Sequence, residues 1–243
     1  MGQAIVDSAG QQTVRRTSPS SAWGDGAAWD REYAHVHAIP SSLRLAPSRA
    51  FTRLESAFGD VAGKRVLDLG AGTGRHSIHA SSLGARVHAI DSSDVACQLH
   101  RARATARNLT ARIELGTVDE HNLPDGEYDL IIDSYVSCHI LSTDGRRRFL
   151  DALMSRLAPG GRLYTAGMGT LDSFYRRHMV SDGPEAIAVD PVNGIAKLLQ
   201  PGDTARRDDR ELARVVSSWT ERFVEAVGGI AEQREVHAAV LTR

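Results

Sequence analysis

Val66-Leu67-Asp68-Leu69-Gly70-Ala71-Gly72-Thr73-Gly74-Arg75-His76, followed by Val87-His88-Ala89-Ile90-Asp91, is the stretch whose reading decides the fold. Val66 to Leu69 reads as a short apolar strand bounded by turn residues, the pattern of a strand buried on both faces of a parallel sheet. Gly70, Gly72 and Gly74 follow at alternate positions. Glycine admits positive φ and lets a backbone approach a ligand closely. A helix is expected to start near Gly74, aiming free N–H groups over the loop. Gly84 is its natural left-handed stop. The second strand, Arg86 to Ile90, ends in Asp91, about 20 residues on from the loop. That is where a ribose-binding carboxylate belongs in a nucleotide-binding βαβ unit.

Two nucleoside cofactors compete for such a unit. The dinucleotide pattern G-x-G-x-x-G needs a glycine at position 75, which is Arg75. Asp68 also sits inside the first strand, just ahead of the loop. Its carboxylate would repel a pyrophosphate and attract an ammonium or sulfonium group. With Asp68, the G-x-G-x-G loop and Asp91 together, the sequence resembles the class I S-adenosylmethionine-dependent methyltransferases of the small-molecule type. The resemblance runs from Gly63 to Met168 and is weak at both ends. It implies S-adenosyl-L-methionine as cofactor and S-adenosyl-L-homocysteine as product.

Outward from the loop, strand and helix alternate, the signature of a doubly wound parallel sheet. Ser92 or Ser93 can cap a helix with Val95, Leu99, Ala102 and Ala106 as its stripe and Arg101, Arg103 and Arg107 solvated. Arg112 to Leu115 is the third strand, leading into Gly116-Thr117-Val118-Asp119-Glu120. Asp125-Gly126 makes a turn before the fourth strand, Tyr128 to Asp133. Ligands of open α/β sheets bind outside the carboxyl ends of strands, which draws attention to Asp133-Ser134-Tyr135-Val136-Ser137-Cys138-His139. Thr143 or Asp144 is the expected cap of a helix with Phe149, Leu150, Leu153 and Leu157 on its inner face. The stretch Ala158-Pro159-Gly160-Gly161 should stop that helix, and Arg162 to Ala166 is the fifth strand. The last stretch is ambiguous. Val215, Val216, Trp219, Phe223 and Val227 suit a helix or a strand, but Gly228-Gly229 is a hairpin signal and Glu235 to Thr242 is strand-like. The hairpin is preferred, because the resemblance implies a Rossmann-like, mostly parallel α/β sheet of seven strands closed by an antiparallel hairpin.

At the start of the chain, residues 1–26 lack an apolar period and read as a flexible tail. Residues 27–59 read as a helical cap. One or two turns over Asp30 to Ala38 carry Trp29, Tyr33 and Val36, Pro40 breaks them, and a helix from Ser48 places Phe51, Leu54 and Phe58 on one face. Residues 60–243 form the main domain, with 169–210 as an insertion of little clear period.

The resemblance also assigns roles. Gly70, Ala71, Gly72 and Gly74 would lie against the methionine portion, with Arg75 and His76 beside them, and Asp68 would reach the amino group indirectly. Asp91 and Ser92 would hold the ribose. Asp119 would read the adenine, or Glu120 if the register slips by one. Asp133 and Ser134 would border the cofactor. An N-terminal segment of this kind implies a lid, so Tyr33, Ser42 and Arg44 are candidate acceptor contacts, with Ser137 and Arg176 from later segments. His139 is the best-placed general base, and Tyr175 is a candidate catalytic ring. Each also has a bland reading: Trp29 and Tyr33 as packing aromatics, Asp119 as a plain loop acid, His139 as a packing histidine, Cys138 as a small buried filler.

Composition narrows the partners. The chain has 243 residues, 42% hydrophobic and 24% charged, with net charge −1. Such a balance gives no electrostatic reason to expect DNA, RNA or an anionic membrane, and a small-molecule acceptor is expected. The longest apolar runs are too short to span a bilayer, and no signal peptide opens the chain. The two cysteines, Cys97 and Cys138, lack metal-ligand spacing and suit a reduced cytoplasmic protein that needs no metal. A monomer and a homodimer fit equally. Two rival chemistries stay open. The methionine amine could attack its own γ-carbon, giving azetidine-2-carboxylate and methylthioadenosine with no acceptor, with Tyr175 facing the cation. Alternatively, the chain could bind the cofactor without turning it over.

Overall fold

The computed structural model describes residues 4–6, 12–14, 26–36, 44–183, 185–191, 193–200, 214–227 and 229–243. Ser42 and the Pro40 break lie outside them. Strands β1 (Ala4–Val6) and β2 (Gln12–Val14) pair antiparallel, a short strand pair within the stretch read as a flexible tail. Helix α1 (Gly26–Arg31) continues into a wider π turn at Glu32–Val36, starting earlier than expected. Asp30 explains the shift. Its carboxylate accepts from Ser93 Oγ at 2.6 Å and from Val95 N at 3.2 Å, so α1 docks against the start of the helix that follows Asp91. The positive end of a helix favours that charge.

Helix α2 (Arg49–Leu54) is capped by Ser48, whose Oγ accepts from Phe51 N, and buries Phe51 and Leu54. Then come β3 (Arg65–Leu69), α3 (Arg75–Ser82), β4 (Arg86–Asp91), α4 (Asp94–Thr105), β5 (Ala111–Leu115), β6 (Tyr128–Ser134), α5 (Thr143–Ser155) and β7 (Leu157–Met168). The insertion supplies α6 (Ser173–Arg176) and a small antiparallel sheet of β8 (Met179–Ser181), β9 (Ile187–Val189) and β10 (Ala196–Leu198). Strands β11 (Arg214–Val227) and β12 (Ile230–Thr242) form the closing hairpin.

The main sheet runs β11-β12-β7-β6-β3-β4-β5. Strands β3 to β7 are parallel, and β12 lies antiparallel to β7 and β11. This is the Rossmann-like, doubly wound sheet with an antiparallel hairpin. Of the helix and strand readings left open for this stretch, Arg214–Val227 takes the preferred strand, with alternate side chains, Trp219 and Phe223 among them, turned in toward the core. Chain order reverses between β3 and β6, which sets the ligand crevice there.

Period 2 divides β3 between two cores. Val66 joins Phe51, Leu54, Ile132 and Tyr164 on one face, and Leu67 and Leu69 join Ile131, Phe149 and Leu153 on the other. Two helix readings need correction. The inner face of α4 is Ala96, Cys97, His100 and Ala104, one residue round from the expected stripe. Small residues there let the helix sit close on the sheet. Arg101 and Arg103 are not simply solvated; they donate to the carbonyls of Ile113 and Thr73 at 3.1 and 3.2 Å. The cap of α5 is Ser142, whose Oγ accepts from Gly145 N, not Thr143 or Asp144. Leu157 already belongs to β7, which passes through Ala158–Gly161 with a register shift opposite Tyr128 and Leu130. Among the described residues no helix is long and apolar enough to cross a membrane.

Candidate active site

A cleft of about 1050 Å³, its open mouth included, lies at the carboxyl ends of β3, β4, β5 and β6. Its floor is the turn after β3. Gly70 and Gly72 hold φ of 53° and 56°, where a side chain is strained. Space demands glycine as well. A β-carbon on Gly70 would lie 2.4 Å from Val136 Cγ2, and one on Gly72 would lie 2.7 Å from the Tyr33 hydroxyl. The bare turn thus lets the β6 end and the N-terminal segment close over the same space.

Asp91 is 7% exposed and faces the cleft. Its Oδ2 accepts from Gly72 N at 2.7 Å and its Oδ1 from Ser93 N at 2.8 Å. Burial pushes its pKa up to about 6, against the pull of these amides. The remaining lone pairs can take hydroxyl donors such as those of a ribose. Asp68 lies beneath the loop, 1% exposed, outside the cleft lining. Ser77 Oγ donates to its Oδ2 at 2.6 Å, while Oδ1 is buried with no hydrogen-bond partner. Burial raises its pKa to about 7. An orphaned carboxylate oxygen under a glycine cradle fits a ligand that brings positive charge.

Arg75, His76 and Ser92 line the cleft with Ala71 and Ser134, whereas Gly74 does not. Gly74 faces α4, where a β-carbon would meet His100 Cδ2 at 2.2 Å. His76 is buried and its Nε2 accepts from Ser48 N at 3.2 Å. Burial holds its ring neutral by lowering its pKa well below the usual value.

Several expected contacts lie elsewhere. Gly116, Thr117 and Val118 line the cleft; Asp119 and Glu120 do not. Asp119 Oδ1 accepts the amides of His121 and Asn122 and so builds its own turn, while Glu120 pairs with Arg148. Asp133 is fully buried and structural, accepting from Val136 N, Ser137 N and Thr165 Oγ1. Ser137 is buried behind the cleft with Arg146 Nε on its hydroxyl. Arg44 pairs with Glu225 at the hairpin, and Arg176 is exposed away from the cleft.

The far wall is aromatic. Tyr33, Trp29, Tyr135, His139 and Tyr175 all reach it. Trp29 meets His139 edge-on at 5.2 Å. His139 Nδ1–H donates to the Ala196 carbonyl at 2.9 Å, which leaves Nε2 as an acceptor. Burial, reinforced by Lys197, pushes its pKa down to about 3. A group so hard to protonate is a poor proton sink near neutrality. The general-base assignment is therefore replaced by that of a neutral hydrogen-bond acceptor. Tyr175 is set by Asp172, whose Oδ1 caps α6 at Tyr175 N and whose Oδ2 takes Arg234 Nε at 2.7 Å. Its ring already faces two cations, Lys197 Nζ at 5.0 Å and Arg234 Cζ at 5.5 Å from the centroid. This works against the ring as the seat of a ligand sulfonium.

Lys197, Tyr135 and Met168 were not singled out from the sequence. Lys197 is one of only two lysines, set inside the apolar run Ile195-Ala196-Lys197-Leu198-Leu199, and that interruption was its one signal. Tyr135 holds φ of 65°, a strained conformation for a bulky residue and one that clusters at functional sites.

With this geometry in place, comparison with known proteins is direct. A methyltransferase-domain family model matches residues 66–161. Over 107 residues the chain is 35% identical to the ribosomal protein L11 methyltransferase of Symbiobacterium thermophilum, covering 44% of this chain and 33% of that protein. Over 206 residues it is 26% identical to the tuberculostearic acid methyltransferase UfaA1 of Mycobacterium tuberculosis, covering 79% and 47%. The chain thus spans between a third and a half of these relatives' length. The CcbJ methyltransferase of Streptomyces caelestis superposes with a TM-score of 0.60 at 20% identity, over 90% of this chain and 99% of that one. Val66 to Gly161 thus matches a methyltransferase domain, set in the Rossmann-like fold that the chain shares with the CcbJ structure.

Proposed function

We propose that this protein transfers the methyl group of S-adenosyl-L-methionine to a small-molecule acceptor, in the cytoplasm and within secondary metabolism. The observation that carries the reading is the joining of two halves in one cleft. Asp91 and the Gly70–Gly72 turn form a cradle suited to a cationic nucleoside, and Trp29, Tyr33, Tyr135 and Tyr175 line the same cleft with aromatic rings, Tyr33 reaching the turn itself. A wall made of four aromatic rings suits a compact organic acceptor better than a protein loop or a nucleic-acid strand. Among the relatives, the names of the Clavibacter sepedonicus demethylmenaquinone enzyme and of the Mycobacterium tuberculosis protein point to small or lipid-like acceptors. The ribosomal-protein relative points elsewhere, over 107 aligned residues that make up 44% of this chain. Two free, buried thiols, Cys97 and Cys138, support a reducing compartment.

The bound cofactor supplies a methyl group already activated on a sulfonium. The chain's own residues then need to hold, orient and exclude water. Asp91 holds hydroxyls, Asp68 Oδ1 favours positive charge over the loop, and the aromatic wall keeps water from the acceptor. His139 Nε2 would accept a hydrogen bond from an acceptor O–H or N–H and orient it, and the proton freed from the methylated product would pass to solvent at the open mouth of the cleft.

Mass spectrometry of cofactor products decides the chemistry. S-adenosyl-L-homocysteine together with a methylated product, formed only when an acceptor is present, supports transfer. Methylthioadenosine formed without an acceptor replaces transfer by intramolecular cyclisation. A tightly bound but unchanged cofactor, across a broad acceptor panel, identifies a binding protein.

A further inference from the structure

The position of Lys197 says something about the acceptor. This lysine is 2% exposed, yet it lines the cleft. Its Nζ sits 5.0 Å from the Tyr175 ring centroid and 5.9 Å from that of Trp29. No acceptor among the described residues meets it at full hydrogen-bond geometry; the Tyr175 side chain lies within looser hydrogen-bond range, and the buried Asp190 carboxylate attracts its charge. Burying an ammonium with so few acceptors is costly, and the two aromatic faces offset only part of that cost. The donors beyond the one in range of Tyr175 are therefore left for a group the chain does not provide.

Its place in the fold is fixed. Strand β10 carries Lys197, and the preceding carbonyl, Ala196 O, takes the His139 Nδ1–H. Lys197, His139, Trp29 and Tyr175 thus form one end of the cleft. The glycine turn, Asp91 and Gly116–Val118 form the other. The far end is cationic and aromatic; the near end holds Asp91 and Arg75.

We infer that the acceptor, on the methyl-transfer reading above, is an aromatic or otherwise planar molecule bearing an anionic oxygen, which Lys197 binds between the Trp29 and Tyr175 rings. The oxygen is a carboxylate or an acidic phenolate or enolate. These share one chemistry, a delocalised O⁻ that accepts from an ammonium while its planar body stacks on the rings. Arg75 lies beside the loop at the other end, over the Tyr135 ring at 5.9 Å, and is available for the cofactor's own carboxylate. The two anions are therefore divided between two cations.

The test uses the full chain saturated with S-adenosyl-L-homocysteine. Thermal midpoints are read with matched acid and amide pairs at equal millimolar concentration: benzoate with benzamide, cinnamate with cinnamamide, and salicylate with salicylamide. At least one acid should raise the wild-type midpoint by about 3 °C while its amide does not, the shift expected for a ligand near ten times its Kd. Lys197→Met should lose the preference and Lys197→Arg should keep it, while both retain S-adenosyl-L-homocysteine affinity within about twofold. Acids and amides acting alike on the wild type overturn the inference, and so does a Met variant that still prefers acids. A tenfold or larger loss of S-adenosyl-L-homocysteine affinity in the Met variant, restored by Arg, also overturns it by giving Lys197 to the cofactor carboxylate. If the Met variant does not fold, the acid–amide comparison on the wild type stands as the test. If the wild type does not bind S-adenosyl-L-homocysteine at all, the methyl-transfer reading itself fails.

Discussion

Asp91 Oδ2 accepts the backbone N–H of Gly72 at 2.7 Å, so the acid that ends β4 is tied to the glycine turn that leaves β3. The carboxylate thereby does two jobs. It fixes the turn in its ligand-ready shape, and it keeps lone pairs pointed at the cleft. Asp91→Asn removes the charge and places an amide N–H₂ beside one of two amide donors. Hydrogen bonds to charged groups are each worth about 1.5–3 kcal/mol. S-adenosyl-L-homocysteine affinity should therefore fall by about 30-fold or more, read by titration calorimetry. An unchanged affinity would remove Asp91 from the cofactor site.

Asp68 predicts a pH signature. Its pKa in the folded chain is raised from 3.8 to about 7 by burial. Between those values the native state keeps a proton that the unfolded state has lost, so stability falls as pH rises through that window. Above the window the penalty is constant, and below it the penalty vanishes. Asp68→Asn cannot ionise and keeps an acceptor for Ser77 Oγ. The stability difference, Asn variant minus wild type, should grow by about 2–4 kcal/mol between pH 4 and pH 7 and then level off. Asp91 and the buried histidines titrate in both proteins and cancel in the difference. Urea unfolding of the ligand-free protein at several pH values reads it, and a flat difference refutes the assignment.

Gly74 and His100 make a separable pair. Gly74 holds φ of 89°, and a β-carbon there would meet His100 Cδ2 at 2.2 Å and Nε2 at 2.5 Å. Gly74→Ala carries a conformational cost of about 1–2 kcal/mol and an added clash. His100→Ala should recover the clash but not the conformational share. The double variant should therefore be more stable than the sum of the two single losses by about 1 kcal/mol or more, a coupling of the size found between contacting residues. Strict additivity in denaturant unfolding would show that His100 moves aside freely.

What the sequence disclosed and what it hid divide along physical lines. The β3 strand, the glycine turn and Asp91 were legible because local backbone chemistry dictates them: apolar burial, positive φ, a strand-end acid. The β11–β12 hairpin was legible through Gly228-Gly229 and the alternation on either side. The face of α4 was misjudged because hydrophobicity alone favours Val95 and Leu99, whereas close approach to the sheet selects Ala96, Cys97 and Ala104. Asp119 was assigned to the ligand by pattern, but two backbone amides within its own turn claim one of its oxygens. Lys197 was missed because three-residue strands carry no usable period, and because its surroundings come from residues far away in the chain, Trp29 and Tyr175. The acceptor end of the cleft is tertiary throughout, and local rules do not reach it.

His139 separates a proton acceptor from a hydrogen-bond acceptor. The Ala196 carbonyl takes its Nδ1–H at 2.9 Å, and burial with the Lys197 charge lowers its pKa from 6.5 to about 3. Protonation would add a second positive charge next to Lys197, in a site lined by Trp29. In ¹⁵N-histidine spectra the ring should stay neutral, with Nδ1 protonated and Nε2 bare, down to pH 5, where an ordinary histidine is mostly imidazolium. His139→Gln offers a carbonyl oxygen as acceptor and should keep the cofactor affinity, whereas a general base could not be replaced by an amide in turnover. An imidazolium signal from His139 at pH 5 or 6 would restore the base and with it a pH-dependent proton step.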